Sequence, residues 1–398
     1  MAVPQTAATL TRKEPLMHRE LFTADHDAFR DTVRQFIGKE IVPNLTDWES
    51  AGRVPRELFT KTAEIGINGL QIPEAYGGGG ITSFLFNAIV IEETGYAAAS
   101  FGGLQVHLNT VMPYFFEYAN DEQKDRWFPG FVDGSLISSI AMTEPGTGSD
   151  LAGIATTAVR DGDDWILNGA KTFITGGINA DLIVVVARTA RVAENRRDGL
   201  SLFVVEADMD GFTRGRNLDK LGLKAQDTAE LLFDNVRVPA RNLLGREGNA
   251  FSMLTHNLPQ ERLTVAVAAH ATAAAALTLA TDYVKDRKVF GQRVADFQNT
   301  KFVLAECATE LEASQALIDR ALVALDTGTL NVADAAKVKL FCTEMQSRVI
   351  DRCLQLHGGY GYMREYPISR LYVDARVSRI FGGTSEVMKT IISRSLGL

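Results

Sequence analysis

Cysteine is scarce in this chain. Cys307, Cys342 and Cys353 are the three in 398 residues. They are too few and too far apart for a disulfide framework and suit a reducing compartment. The six histidines form no H-x-x-x-H or Cys/His pattern, so no metal site is expected. Blocks of lysine and arginine are missing and the formal net charge is −8, which argues against nucleic acid as the main partner. No apolar run approaches the ~20 residues of a membrane helix, so no membrane span is expected. The opening "MAVPQTAATLTRKEPLMHRE" lacks the apolar core of a secretory signal. Arg12, Lys13 and Arg19 would suit a mitochondrial leader, but Glu14 and Glu20 weigh against one, because such leaders avoid acids. The expected location is cytoplasmic in a bacterium, or the mitochondrial matrix in a eukaryote. A doubly wound dinucleotide fold would place strands first, with G-x-G-x-x-G after the first of them; neither is visible.

What is present is ordinary in bulk and patterned in detail. Hydrophobic residues make up 46% and charged residues 23%, the balance of a globular protein. The length suffices for two or three domains. Residues 1–138 read as helical. Phe29, Val33, Phe36, Ile37 and Ile41 recur at helical spacing, with Thr23 as a cap and Pro43 as a stop. "YGGGG", from Tyr76 to Gly80, reads as a flexible turn. Residues 139–246 read as strands and turns. "DLIVVVART" and "GLSLFVVEA" are β-rich runs, and "ATTAVRDGDDWILNGAKTFIT" reads as a hairpin. Its turn signals are Asp161-Gly162 and Asn168-Gly169. Residues 247–398 return to long amphipathic helices, one of them alanine-rich, another ending at Gly358-Gly359. Segregated helices and strands of this kind predict an α+β protein, with an N-terminal all-α domain, a central β domain and a C-terminal helical domain.

Several stretches carry chemistry. "AMTEPGTGSD" (141–150) offers Thr143, Thr147 and Ser149 with glycines that let the backbone come close; a tight inter-domain turn explains it equally well. "KTFITGG" (171–177) sets an aromatic beside a hydroxyl, which suits a flat heterocycle, although a plain strand end is the simpler reading. In "DRKVFGQRVADFQ" (286–298), Arg287 and Gln298 suit a phosphate or pyrophosphate. "CLQLHGGYGYMREYP" (353–367) adds Gln355 and a glycine pair of the type that cradles diphosphates. "NLPQERL" (257–263) carries Glu261 near a helix start or kink. The bland reading makes it an acid in a first helical turn, behind a capping box of Asn257 and Gln260. The sharp reading makes it a general base, which Arg262 need not neutralise because adjacent helical residues point apart.

Taken together and in this order, "AMTEPGTGSDL", "NGAKTFITGG", "LGLKAQDTAELLFDNVRVP", "DRKVFG", "LQLHGGYGYMREYPISRLYVDAR" and "GGTSEVM" resemble the acyl-CoA dehydrogenase family over nearly the whole chain. The resemblance implies a β-barrel or sandwich as the central domain, a C-terminal four-helix bundle, bound FAD and a homotetramer built as a dimer of dimers. It implies an acyl-CoA substrate and an electron-transfer flavoprotein as acceptor. Ile140, Met142, Thr143, Ser149, Phe173, Ile174 and Thr175 would lie along the flavin. Arg287, Phe290, Gln298, Gln355, Leu356, Gly358 and Gly359 would hold the ADP half of a FAD belonging to the neighbouring subunit. Thr384, Ser385 and Glu386 would meet the FAD this subunit mainly binds. Ser149, Ser252, Arg262, Gly382 and Gly383 would contact the substrate.

Many family members place the catalytic glutamate immediately before "GTS". Here that residue is Gly382. The long-chain and isovaleryl branches share this feature and carry the base in a motif similar to "LPQERL", which points to Glu261. Glu261 would take the α-proton while the β-hydride leaves to flavin N5. The enolate oxygen would be met by a ribityl hydroxyl and the backbone N–H of Gly382. A flavin monooxygenase or oxidase on the same fold, or a non-catalytic partner chain, are the alternatives. The first typically changes the acid or the CoA-binding surface, and Glu261 and Ser149 are retained; the second loses the base or part of the FAD set, and neither loss is visible here.

Overall fold

The computed structural model describes residues 17–192 and 195–398. Arg12, Lys13 and Glu14, weighed above for a leader, lie outside the described residues. The first domain is helical: α1 (Ala24–Phe36), α2 (Leu45–Ala51), α3 (Glu57–Glu64), α4 (Leu85–Tyr96), α5 (Leu104–Val106), α6 (Met112–Tyr118) and α7 (Asp121–Val132). Thr23 is the N-cap of α1, and its backbone N–H donates to the His26 ring at 3.1 Å. The α-helix stops at Phe36, before Pro43; a π turn (Ile37–Ile41) and a 3₁₀ turn (Val42–Asn44) follow. Proline sits inside that 3₁₀ turn, where its missing N–H removes no α-helical bond.

The middle domain holds β1 (Ser138–Ala141), β2 (Thr157–Asp161), β3 (Asp164–Thr175), β4 (Leu182–Arg188), β5 (Leu200–Glu206), β6 (Phe212–Asn217), β7 (Thr228–Val238) and β8 (Leu243–Leu244). Their order is β6-β7-β3-β2-β4-β5-β8, with β1 alongside β4. The runs "LIVVV" and "SLFVV" are apolar without alternation because both faces of β4 and β5 are covered. Val184, Val186, Leu202 and Val204 pack on Phe115, Trp127 and Phe131 of the helical domain. Ile183, Val185, Phe203 and Val205 join Trp165, Leu167, Leu231 and Phe233 inside the β domain. The β2–β3 hairpin turns at Asp161-Gly162, as its sequence suggests. Asn168-Gly169 makes no turn. It lies within β3 at a register shift against β7, and a Cβ on Gly169 would stand 2.4 Å from Thr156 Oγ1. That glycine answers a close approach of backbone, which sequence cannot distinguish from a turn.

The last domain contains α8 (Ala250–Asp286), the small hairpin β9 (Lys288–Val289) and β10 (Gln292–Arg293), then α9 (Gln298–Asp326), α10 (Val332–Leu356), α11 (Pro367–Ala375) and α12 (Ser385–Ser395). The alanines of α8 let other helices come close: a Cβ on Gly95 of α4 would stand 2.5 Å from Ala271 Cβ. Contrary to the reading of apolar runs, α8 is long and apolar enough to cross a membrane, with a mean hydropathy of 1.7 over 18 residues. Of that window 61% is buried inside the protein, so its apolarity is used in the helical core.

Candidate active site

Glu261 does not lie at a helix start. The helix begins at Ala250, and Glu261 follows Pro259 in its interior, about three turns in. The capping-box reading therefore fails: Gln260 donates to Asn109 O at 3.2 Å, and Asn257 Nδ2 has no partner among the described residues. The dipole explanation for an acid fails with it, since the helix dipole acts within the first turn.

The carboxylate is 7% exposed. The hydroxyl of Tyr114, from α6, donates to its Oε1 at 3.0 Å. Burial lifts the Glu261 proton affinity to about 7, against the Tyr114 hydrogen bond and the Arg262 charge, which pull it down. Burial, then the carboxylate beside it, pushes the Tyr114 hydroxyl well above the usual tyrosine range, so it remains a donor. Arg262 is also buried, and its Nε and Nη1 have no partners among the described residues.

Gly382 and Gly383 have φ of +66° and +98°, the left-handed region where glycine is at ease. A Cβ on Gly382 would touch Val265 Cγ2 at 3.5 Å, one turn along α8 from Glu261. A Cβ on Gly383 would stand 4.0 Å from Arg262 Nη2. The loop and the "QERL" turn thus face each other. Buried Lys339, from α10, fixes the loop by donating to Gly383 O at 2.7 Å. Burial, with the Arg262 charge, lowers its ammonium to about 8.

The stretch from Met142 to Glu144 is strapped to Lys171 and Thr172 of β3. Lys171 Nζ donates to Met142 O at 3.0 Å and to Glu144 Oε1 at 2.8 Å, and Thr172 N donates to Thr143 O at 2.9 Å. Glu144 in turn accepts from the N–H groups of Ala155 and Thr156. Above this clamp Phe173 is 68% exposed at φ +60°, on a bulge of β3. Thr175 accepts from Gln226 Nε2 through its hydroxyl at 3.2 Å. The side chain of Ile140 is buried between the sheet and the helical domain, and that of Ile174 inside the β domain, so at those positions it is backbone that a ligand can meet. Ser149 and Ser252 are exposed. Thr384 caps α12 through a bond from Val387 N, Ser385 is buried with its hydroxyl on Glu344 at 2.7 Å, and Glu386 is exposed.

A second group assembles elsewhere. Arg287, Leu356, Gly358 and Gly359 line one cleft of about 500 Å³, together with Tyr283, Val289, Val294, His357, Tyr360 and Met363. A Cβ on Gly358 or Gly359 would meet nothing within 4 Å, so bare backbone faces an exposed guanidinium, an arrangement suited to a diphosphate. Gln298 and Gln355 are exposed at the start of α9 and the end of α10. Phe290 is 96% exposed at the tip of the β9–β10 hairpin. Motif reading missed Tyr114, Lys339 and the Lys171–Glu144 clamp.

Three family models match the chain in order: acyl-CoA dehydrogenase N-terminal domain over residues 23–135, middle domain over 139–236 and C-terminal domain over 248–397. The mitochondrial long-chain specific acyl-CoA dehydrogenase of Sus scrofa is 46% identical over 379 residues, 95% of this chain and 88% of that one. The crystal structure of acyl-CoA dehydrogenase from Geobacillus kaustophilus superposes with a TM-score of 0.94 at 48% identity, covering 96% of this chain and all of that one. A glutaryl-CoA dehydrogenase from Mycobacterium smegmatis, solved in complex with FADH2, gives 0.86 at 29% identity over 94% and 95% of the two chains. With all three domains matched in sequence and close relatives spanning nearly its whole length, this chain belongs to the acyl-CoA dehydrogenase family.

Proposed function

We propose that Glu261 is the base of this acyl-CoA dehydrogenase and that it takes the α-proton of a long-chain acyl-CoA thioester. The chain is a flavoprotein oxidoreductase acting on acyl-CoA, with FAD as cofactor. Bound FAD supplies the hydride acceptor. Removal of the β-hydride with the α-proton yields the trans-2-enoyl-CoA. The observation that carries the assignment is a buried carboxylate with a proton affinity near neutrality, facing a glycine loop that holds no acid. A base of that affinity combines a useful ionised fraction with real proton-accepting strength at pH 7. Gly382 offers its N–H to the thioester oxygen as charge develops there, and Lys339 holds the loop that carries it. Phe173 offers an exposed ring for the flavin to lie against, over the backbone that Lys171 and Glu144 fix. The long-chain assignment rests on the likeness to long-chain specific relatives. An anaerobic panel of straight and branched acyl-CoAs tests it.

Assembly follows from the helix that connects the two groups. Glu261 lies within α8 and Arg287 just beyond its end, roughly 39 Å apart along the axis at 1.5 Å per residue. One dinucleotide does not span that length. The Arg287 cleft then serves a FAD whose flavin lies in another subunit, which supports a homotetramer built from dimers. The proposed electron acceptor is an electron-transfer flavoprotein, and the proposed location follows the relatives, which are mitochondrial and bacterial. The decisive experiment is Glu261→Gln. It should keep FAD and acyl-CoA binding yet slow flavin reduction by a factor on the order of 10²–10⁴. Reduction at the wild-type rate would remove Glu261 from the reaction.

A further inference from the structure

The bond between Tyr114 and Glu261 joins residues from two domains, and Tyr114 belongs to none of the motifs that carry the family likeness. We infer that Tyr114 is a positioning residue for this reaction: its hydroxyl holds Oε1 of Glu261, leaves Oε2 as the proton-accepting atom, and sets the pH range in which that atom works as a base. The inference rests on Glu261 being the base.

The geometry supports each part. Tyr114 is fully buried, follows Pro113 in α6, and packs at 6.3 Å against Tyr118, so its ring has one place to be. A phenol has one proton to give, and here it goes to Oε1 at 3.0 Å. The hydrogen bond seen at the carboxylate goes to Oε1, and Oε2 takes no part in it. A carboxylate tethered by one oxygen presents the other in a fixed direction, which is what proton transfer from a bound carbon acid needs.

The hydrogen bond favours the ionised form, so it opposes the burial that favours the neutral one. The other charges on the packed elements act on Glu261 less than Tyr114 does or are committed elsewhere. Arg262, on the same helix, lowers the Glu261 proton affinity less than Tyr114 does. Lys339 from α10 is bound to Gly383 O. Glu92 and Glu93 from α4 are paired with Arg19 and Arg30. His256 and Glu117 face each other at 3.2 Å near the surface. Tyr114 is therefore the neighbour whose removal should move the titration of Glu261 most, and upward.

The test is the pH dependence of the second-order rate constant for anaerobic flavin reduction by acyl-CoA, which reports groups of the free enzyme. FAD-loaded wild type, Tyr114→Phe and Glu261→Gln are compared. Tyr114→Phe should move the acid limb up by about one to two pH units, the worth of one hydrogen bond to a charged group. Below the limb its rate should be about tenfold to a hundredfold lower than wild type, and above it most of the rate should return. The carboxyl infrared band lost in Glu261→Gln should titrate with the same shift. A merely structural tyrosine would lower the plateau and leave the midpoint alone, and that result overturns the inference. If the variant does not hold FAD, fluorotyrosine in the wild-type chain tests the same bond with the opposite sign. A more acidic phenol donates more strongly, so the midpoint should fall, and an unmoved midpoint again overturns the role. Glu261→Gln separates the two levels. If it reduces flavin normally, both the base and this inference fail; if it is inactive while Tyr114→Phe leaves the midpoint unmoved, only the tyrosine's role fails.

Discussion

Two of the buried charge clusters among the described residues follow opposite plans. In the first, Arg19 bonds Glu92 at 2.8 Å and Asp319 at 2.6 Å, Arg30 bonds Glu92 at 2.7 Å and Glu93 at 2.9 Å, and Arg34 bonds Glu93 at 3.0 Å. Every charge there meets an opposite one, although one Arg30 nitrogen has no partner among the described residues. In the second, Glu261 and Arg262 are neighbours in sequence and form no ion pair among the described residues. The arginine has two nitrogens without partners among the described residues, and Lys339 donates a hydrogen bond to a backbone carbonyl. The first cluster ties α1 and the segment before it to α4 and α9, a strut between elements. The second leaves a buried carboxyl and a buried guanidinium without an ion pair between them, the kind of arrangement that shifts proton affinities at functional sites.

The largest difference should appear when each cluster loses one member. Glu261→Gln should reduce activity by the orders of magnitude given above and leave the chain folded. Arg30→Met should do the reverse. It strips Glu92 and Glu93 of one buried partner each, while Arg19 still holds Glu92 and Arg34 still holds Glu93, so the protein should lose up to about 3 kcal/mol of stability, the lower end of what breaking a buried pair costs. Thermal unfolding of the FAD-loaded protein reads the loss. The acid limb of flavin reduction should stay where it is in whatever protein survives. If Arg30→Met unfolds like wild type, the strut reading fails; if it moves the acid limb, the clusters are coupled.

A smaller effect concerns stability against pH. An unfolded Glu261 releases its proton near 4.5, whereas the folded one keeps it to about 7. Below pH 4.5 both states hold the proton and the residue is indifferent to folding. Between pH 4.5 and 7 unfolding releases it, so stability falls as pH rises, and the loss is complete above 7. The shift corresponds to about 3 kcal/mol. Glu261→Gln has no such slope. Relative to wild type it should be equally stable at pH 4 and more stable at pH 8, and a pH-independent difference in unfolding temperature would contradict the buried, neutral-leaning carboxyl.

What was legible in the sequence was contiguous. The succession of helix, strand and helix follows from patterning within each segment, and Glu261, Arg287 and the Gly358-Gly359 pair stand inside long motifs. What was not legible depends on distant approach. Asn168-Gly169 reads as a turn because the Thr156 backbone that requires the glycine is distant in sequence. Asn257 and Gln260 read as a capping box because nothing local shows that the helix has already begun at Ala250. Tyr114 touches Glu261 across 147 positions, and no local pattern reports such a pair. Lys339, in a run that reads as an ordinary polar face, is fully buried.

The smallest expected effect sharpens the comparison within the second cluster, by asking whether its loop and its base are independent. Gly382 adopts φ +66°, and a Cβ there would meet Val265 Cγ2 at 3.5 Å, an ordinary contact. Space therefore permits alanine, and the backbone resists it: a left-handed conformation costs about 1 kcal/mol for a residue with a Cβ. Gly382→Ala should lower stability by roughly that amount and slow flavin reduction severalfold, as relief of the strain turns the N–H away from the thioester oxygen. The acid limb should not move, because the Tyr114–Glu261 bond belongs to α6 and α8 and the loop is held separately by Lys339. Measured together, an unchanged midpoint with a lower plateau assigns Gly382 to the developing negative charge and Glu261 to the proton. A midpoint that moves with Gly382→Ala would show that the loop sets the base's environment, and the two functions would then have to be treated as one.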